Sequence, residues 1–326
     1  MEYQKESIKN IIDKINNEYF LPDIQRSFVW KPNQIYALFD SLMRKYPIST
    51  FLFWELEKEY ITNNDVKLLT FVKSNQEESI VNTSYSHDKY NLVLDGQQRL
   101  TTFYIALKGS YFERNKKKEL YFDIFSGKEQ DEDGLIYYFK LFIPESTCFA
   151  QEDEDKVSKV KRVKLWINIR RIYEIPSAGS TDIRKFVEQT VERMANKELV
   201  LKNKTAKELT NEVFDKVFDL YLSLTSWPVI NYYSEKRQDY DAVLDIFVRT
   251  NSGGTKLTYS DLLFSKIKRN WDEAREKFKS LIEEINSNCF DFDGDFILKT
   301  CWLYSLKTRV RLGIKSVTCM IKKSAP

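Results

Sequence analysis

Five consecutive polar residues, Asp95, Gly96, Gln97, Gln98 and Arg99, interrupt an apolar stretch of the chain. An aspartate can hold a cation or orient a water molecule, and an arginine can place two parallel N–H groups on a phosphate. Glutamine amides donate and accept hydrogen bonds without titrating. These residue types predict a polar site for an anionic ligand, and the alternative is a solvated turn before an ordinary helix.

The residues on either side predict how this polar run is held. Residues 92–94 form a short apolar run that ends at a turn, which favours a buried strand over a helix. From Leu100 to Leu107 the apolar residues recur at the spacing of an amphipathic helix. A strand, a glycine turn and a helix bring backbone N–H groups and the positive end of a helix dipole before an anion.

A second polar run occupies residues 250–254, between two helical patterns. Gly253 and Gly254 permit positive φ and a close backbone approach, and Asn251 offers an amide to a ligand or to the loop itself. A plain linker between two helices explains most of these features. A ligand-binding role requires that this run face residues 95–99.

The use of histidine and cysteine excludes several kinds of chemistry. His87 is the only histidine, and it lies in a polar stretch that predicts a loop. A Ser-His-Asp triad, a Cys-His pair or a histidine metal site would therefore need His87 itself. The four cysteines have no C-x-x-C spacing, so neither a zinc site nor a disulfide framework is expected. Catalysis is expected to depend on carboxylates, amides, arginines and a bound metal.

Length and composition predict a folded protein of about two domains. Residues 1–148 mix short strand patterns with helical ones and predict an α+β domain. Residues 149–326 predict a mostly helical domain with a basic C-terminal end. The net charge is −3 for residues 1–150 and +6 for the remainder, a weak basic bias that permits contact with nucleic acid. With no apolar membrane span and no signal sequence, we expect a soluble, cytoplasmic protein.

Two segments carry specific expectations for local structure. Residues 3–18 have isoleucines at helical spacing and predict a first helix. Residues 152–171 begin with an acidic cluster that is followed by a basic run. That charge order predicts a solvated helix with its cations toward the C-terminal end, and the alternative is a patch that binds nucleic acid.

Four blocks of the sequence, taken together and in this order, carry a family resemblance: LPDIQRSFVW, YPIST, LVLDGQQRLTTFYIAL and FVRTNSGGTKLTYSDLLFSK. The chain resembles the N-terminal domain family of GmrSD-type restriction endonucleases. The match runs from about residue 8 to about residue 268, and DGQQRLTT is its most specific part.

The resemblance implies a fold, an activity and a set of site residues. The fold would be a ParB/sulfiredoxin-like mixed domain followed by a helical region. The activity would be NTP binding and hydrolysis in a modification-dependent restriction or phage-defence system. The expected cofactor is Mg²⁺. The catalytic residues would be Asp95, Gln98 and Arg99, with Asp95 also the metal ligand. The nucleotide-binding residues would be Gln25, Arg26, Gly96, Gln97, Asn251 and Gly254.

One departure from the family concerns the nuclease. Many relatives continue into an HNH-type nuclease, which needs histidine, and no histidine follows His87 in this chain. We therefore expect that this chain lacks that nuclease: either a partner supplies it, the chain is a truncated product, or it works alone as a sensor. The expected partners are an NTP and modified phage DNA, with a separate nuclease subunit and a homo-oligomer as further options. Two alternatives stay open: a nucleotide- and DNA-binding sensor without turnover, and a DNA nickase.

Overall fold

The computed structural model describes residues 3–22, 28–144, 146–154, 161–176, 179–195, 205–251 and 274–287, together with residues 292 and 300. By their contacts the residues fall into two compact units. The first comprises Met1–Pro22 and Ser27–Asp239, and the second comprises Asp23–Arg26 and Tyr240–Pro326. The boundary expected between residues 148 and 149 falls inside a strand of the first unit.

A seven-stranded sheet organises the first unit. Its spatial order is β1 (Gln4–Glu6), β12 (Ile230–Glu235), β3 (Thr50–Glu57), β6 (Lys89–Asp95), β2 (Tyr19–Pro22), β4 (Leu68–Leu69) and β5 (Val81–Asn82). Strand β3 runs parallel to β12 and antiparallel to β6, and β2 runs parallel to β6. The carboxyl ends of β2 and β6 therefore lie at the same edge of this sheet, which is also the edge where β3 begins.

A second, antiparallel sheet of the same unit has the order β10 (Cys148–Glu154), β11 (Lys161–Asn168), β8 (Lys116–Asp123) and β7 (Tyr111–Glu113), with β9 (Phe139–Phe142) also paired to β8. The helix expected over residues 152–171 is thus wrong for residues 152–154 and 161–168, which form strands, and only residues 169–171 of the described part are helical. Leu165 and Ile167 are fully buried on one face and alternate with Lys164 and Trp166 on the other. Pairing of this segment with β10 and β8 outweighs the charge order on which the helix was predicted.

Nine helices occur among the described residues, and with the two sheets they confirm a mixed fold of helices and strands. Seven lie in the first unit: α1 (Ile8–Lys14), α2 (Pro32–Met43), α3 (Lys58–Asn63), α4 (Gln97–Lys108), α5 (Ile169–Tyr173), α6 (Ser180–Ala195) and α7 (Ala206–Thr225). Two lie in the second unit: α8 (Tyr240–Asn251) and α9 (Ala274–Asn286). Within the described part of the chain, no helix is long and apolar enough to span a lipid bilayer.

The helix expected over residues 3–18 is shorter than its pattern suggests. Residues 4–6 form strand β1 instead, which pairs with β12 at the edge of the first sheet. Ser7 then caps α1, and its side chain accepts a hydrogen bond from the Asn10 N–H. The predicted apolar face is confirmed for Ile8, Ile11 and Ile12, which are buried. Pairing with a distant strand overrides the local helical pattern at residues 4–6.

Helix α4 is held on nearly all sides by the core of the first unit. Leu100, Phe103 and Leu107 are almost completely buried. The Phe103 ring meets the Phe39 ring of α2 edge-on, at 5.5 Å between centroids. The start of α4 is therefore fixed by packing.

A buried carboxyl group, Asp123 at the end of β8, connects this strand to its neighbour β11. One of its oxygens, Oδ1, accepts hydrogen bonds from the N–H groups of Phe125 (3.1 Å) and Leu165 (3.0 Å). Burial raises the pKa of this carboxyl to about 6, against the opposing effect of those two hydrogen bonds.

We predict that Asp123 makes the protein less stable as pH rises from about 4 to about 6. Over this range Asp123 stays protonated in the folded protein and loses its proton in the unfolded chain. Above the folded pKa, the loss of stability caused by Asp123 no longer changes with pH. A shift of about two units corresponds to about 3 kcal/mol in the free energy of unfolding. Asn can accept the same two hydrogen bonds, so Asp123→Asn should remove this dependence.

Urea unfolding of wild type and Asp123→Asn at about pH 4.5 and about pH 7.5 checks this prediction. The wild type should lose stability relative to the variant at the higher pH. Asp65→Asn, at an exposed position, serves as the control and should follow the wild type. A difference between wild type and Asp123→Asn that is the same at both pH values contradicts the assignment.

Candidate functional site

The polar run at residues 95–99 connects strand β6 to helix α4. Asp95 is the last residue of β6, and Gln97 is the first residue of α4. Gly96 between them caps the helix with φ of 89°, in the left-handed region. The predicted strand, glycine turn and helix are therefore confirmed.

A β-bulge lies directly before the turn. Leu52 of β3 is opposite Asp95, whereas its neighbour Phe53 is opposite Val93, so β6 advances two residues where β3 advances one. A bulge of this kind bends the strand and changes the direction of the side chains that follow. It sets the direction in which Asp95 leaves the sheet.

Gly96 is required at this turn for two physical reasons. Its positive φ is costly for any residue with a Cβ. A Cβ at this position would also overlap the carbon atoms of the Phe51 ring. The backbone of the turn therefore lies directly against β3.

The Arg99 side chain connects the motif, residues 95–99, to the start of β3. Its Nη1 donates to the Ile48 carbonyl at 2.5 Å, and its Nη2 donates to the Thr50 carbonyl at 3.0 Å. Nη2 also lies 3.3 Å from Oδ2 of Asp95, and the guanidinium stacks over the Phe51 ring at 4.4 Å from its centroid. Only 14% of the Arg99 side chain is exposed, and its donors bind groups of the protein itself.

Burial changes the pKa of Arg99, which lies beside the Asp95 carboxylate. Desolvation lowers the pKa of Arg99, and the nearby Asp95 carboxylate opposes that change. An arginine keeps its charge even so, because its ordinary pKa is far above neutral pH. The Asp95 side chain is 37% exposed, and its Oδ1 makes no hydrogen bond with a described residue. One carboxylate oxygen thus faces Arg99 while the other is available.

Gln98 connects the motif to the segment that follows β2. Its Oε1 accepts a hydrogen bond from the Val29 N–H at 3.0 Å. At the other end of that segment, Pro22 closes β2, which pairs in parallel with β6. Residues 23–27, which include Gln25 and Arg26, lie outside the described residues.

A pair of buried polar side chains lies one turn apart at the start of α4. Gln97 is 8% exposed and Thr101 is 1% exposed. The Thr101 hydroxyl has no hydrogen-bond partner among the described residues, although a buried hydroxyl usually has one. In the sequence, Thr101 has no signal beyond its position four residues after Gln97 within the motif.

The remaining predicted site residues are only partly described. Asn251 is the last residue of α8 in the second unit, and its side chain lies outside the described part. Gly254 also lies outside it. For metal binding, the described ranges contain no group of three or more histidine, cysteine, aspartate or glutamate side chains that could hold an ion.

The described fold is a mixed domain of helices and two sheets that presents a DGQQR loop at the edge of its larger sheet. The chain belongs to the family described as GmrSD restriction endonuclease, N-terminal domain, which it matches over residues 8–268. This match confirms the resemblance carried by the four sequence blocks.

The chain is also similar to the uncharacterized protein MJ0686 of Methanocaldococcus jannaschii. The two are 29% identical over 287 residues, which is 82% of this chain and 44% of the relative. The chain therefore spans less than half the length of that protein.

We predict that Gly96→Ala destabilises the protein more than Gly134→Ala does. Both glycines have similar positive φ, at 89° and 83°, so each substitution should cost about 1–2 kcal/mol of backbone strain. Only Gly96 lies against an aromatic ring, and overpacking should add about 1–3 kcal/mol there. At Gly134 the nearest atom is the flexible Gln130 amide, 3.3 Å away.

Urea unfolding of the two variants measures this difference directly. Adding Phe51→Leu to Gly96→Ala should recover part of the loss, because a smaller side chain leaves room for the Cβ. Equal destabilisation at the two glycines would show that Phe51 does not constrain the turn.

Proposed function

We propose that this chain is an NTP-binding and NTP-hydrolysing module of a modification-dependent DNA restriction or phage-defence system. One observation carries the proposal. Two separate sequence blocks of the family meet at one edge of the first sheet, because β2 runs parallel to β6 and Val29 bonds to Gln98. The β6–α4 loop, residues 95–99, would be the centre of the nucleotide site.

Phosphate binding is supported by the geometry of this loop. Helix α4 has twelve residues and begins at a glycine, so no side chain of its own caps it. The first turn of any helix has N–H groups with no acceptor inside the helix, and the dipole there favours an anion. We propose that Gly96 and Gln97 bring the nucleotide phosphates to this end of α4.

Asp95 would hold Mg²⁺ and orient the attacking water. Its Oδ2 faces Arg99 and its Oδ1 is available, so the residue can offer one ligand to an ion. A single protein carboxylate suits Mg²⁺, which commonly binds through one or two carboxylates together with substrate phosphates and water. When bound, the ion would neutralise charge on the phosphate oxygens.

Arg99 has a different role in this proposal from the one its type suggests. Its donors already bind two carbonyl groups and Asp95, so we propose that it positions Asp95 and the loop. The arginine that contacts the phosphates would then be Arg26, with Gln25 beside it, as the family resemblance implies. Gln98 would hold that segment through its bond to Val29.

The finer features of the proposal come from the family. They are a ParB/sulfiredoxin-like fold for the first unit, and closure of the nucleotide site by Asn251 and Gly254. Partners would be modified DNA and a nuclease, either on a separate subunit or elsewhere in a longer protein. Coupling of NTP turnover to DNA cleavage would give the module its role in defence.

We predict that Asp95→Asn lowers NTP turnover by at least about 100-fold, as expected for loss of a residue that orients the nucleophile. The measurement is phosphate release by the purified full chain with each NTP and Mg²⁺. Asp65→Asn removes one exposed carboxylate elsewhere in the first unit and should leave turnover unchanged. Equal turnover in wild type and Asp95→Asn overturns the assignment of Asp95.

The same experiment separates hydrolysis from binding alone. If wild type binds NTP in equilibrium dialysis but releases no phosphate, even with modified DNA present, the chain is a sensor and the hydrolytic proposal fails. Nicking of a supercoiled plasmid by the purified chain would instead favour the nickase alternative.

We predict that Arg99→Lys reduces turnover while Arg44→Lys does not. The two arginines are in similar local surroundings. Each pairs with an aspartate four residues earlier and lies over an aromatic ring. A lysine cannot span the several acceptors of either guanidinium, so both variants should be less stable than the wild type.

Thermal unfolding measures the stability of each variant. Phosphate release is then measured at a temperature where both variants are folded. Only the Arg99 change should reduce kcat, because only that arginine positions Asp95. A parallel loss of turnover in both variants would mean that lowered stability alone explains the effect.

A further inference from the structure

The β7–β8 hairpin, residues 111–123, carries an unusual concentration of positive charge near its turn. Four cations occur within residues 113–119, at Arg114, Lys116, Lys117 and Lys118, together with the two carboxylates of Glu113 and Glu119. We refer to residues 113–118 as the basic tip. Successive side chains of a strand point to opposite faces, so the three consecutive lysines spread positive charge over both faces of the hairpin.

Only part of this charge is neutralised within the protein. Lys118 pairs with Glu113, and Lys117 lies 3.4 Å from Glu119. Glu119 is also shared with Arg170 at 3.5 Å. Arg114 and Lys116 are exposed and form no ion pair with any described residue. Residues 113–119 therefore carry two more cations than carboxylates, and Arg114 and Lys116 are exposed to solvent.

The basic tip is rigidly supported by a neighbouring loop. The Asn75 side chain makes two hydrogen bonds to the backbone of Phe112, donating to its carbonyl at 2.8 Å and accepting from its N–H at 2.6 Å. The Gln76 amide donates to Oδ1 of Asn115 at 2.9 Å. An exposed hairpin this well braced holds its charges in a defined position.

The turn of the hairpin places Arg114 in a backbone conformation that arginine does not favour. Arg114 and Asn115 have φ of 50° and 60°, the pattern of a type I′ turn, which prefers Asn or Gly at both positions. Asparagine suits the second position, but arginine in the left-handed region is strained. Backbone strain at an exposed position is compatible with a role of the arginine side chain outside folding.

We propose that the basic tip contacts the backbone phosphates of double-stranded DNA, with Arg114 and Lys116 as the contacting residues. A two-stranded β-ribbon is narrow enough to follow a groove of the duplex, and its cations can meet the flanking phosphates. Such contacts fix the position of a protein on DNA and carry no sequence information. The choice of DNA as the partner rests on the proposed function.

The salt dependence of DNA binding tests the proposal. A fluorescent duplex of arbitrary sequence is titrated with the full chain between about 50 and 200 mM salt, and binding is followed by anisotropy. Each phosphate contact adds about 0.9 to the slope of log K against log salt. Arg114→Gln with Lys116→Gln should therefore reduce the slope by about 1.8.

The matched control is Lys5→Gln with Lys58→Gln, which removes two exposed cations elsewhere in the first unit. It should leave the slope as it is in wild type. Equal reductions in the two double variants, or no measurable binding of the duplex by wild type, overturn the proposal.

A single variant separates DNA contact from a structural role. Arg114→Asn relieves the strain of the turn, so its melting temperature should equal or exceed that of wild type while its slope falls by about 0.9. An unchanged slope in this variant contradicts the assignment of Arg114. NTP turnover without DNA should be the same in the hairpin variants as in wild type, and Asp95→Asn should keep the wild-type slope, so the two proposals can fail separately.

Discussion

The buried guanidinium of Arg99 is the interaction on which the candidate site depends. It joins the end of β6, the start of β3 and the first turn of α4, because its donors reach Ile48, Thr50 and Asp95 at once. The Phe51 ring packs against the same guanidinium and also occupies the space next to Gly96. One aromatic ring and one cation thus fix both the backbone and the acidic side chain of the loop.

This arrangement explains why the loop tolerates so many polar groups near a core. The backbone carbonyls before β3 are satisfied by Arg99, the Val29 N–H is satisfied by Gln98, and the positive φ is taken by a glycine. What the network leaves available is one oxygen of Asp95 and the buried hydroxyl of Thr101. A polar surface of that kind is suited to a ligand that supplies its own hydrogen-bonding groups.

The sequence predicted the local elements of the site better than the partners of its residues. The strand, the glycine turn and helix α4 followed from short-range patterns, and all three are present. Arg99 could be identified as important by its type, but its acceptors are carbonyl groups about fifty residues away, which no spacing rule connects to it. The errors at residues 3–18 and 152–171 have a related cause, since pairing between strands decided those segments where helical spacing or charge order had pointed elsewhere.

The position of β12 in the first sheet has a consequence for synthesis of the protein. Strand β12 lies between β1 and β3, so Gln4–Glu6 has no strand to pair with until Ile230–Glu235 has been synthesised. At a translation rate of about 5–20 residues per second, that wait lasts roughly ten to fifty seconds. Until then the edge of β3 that faces β12 is unpaired, and such an edge is exposed to pairing with other chains.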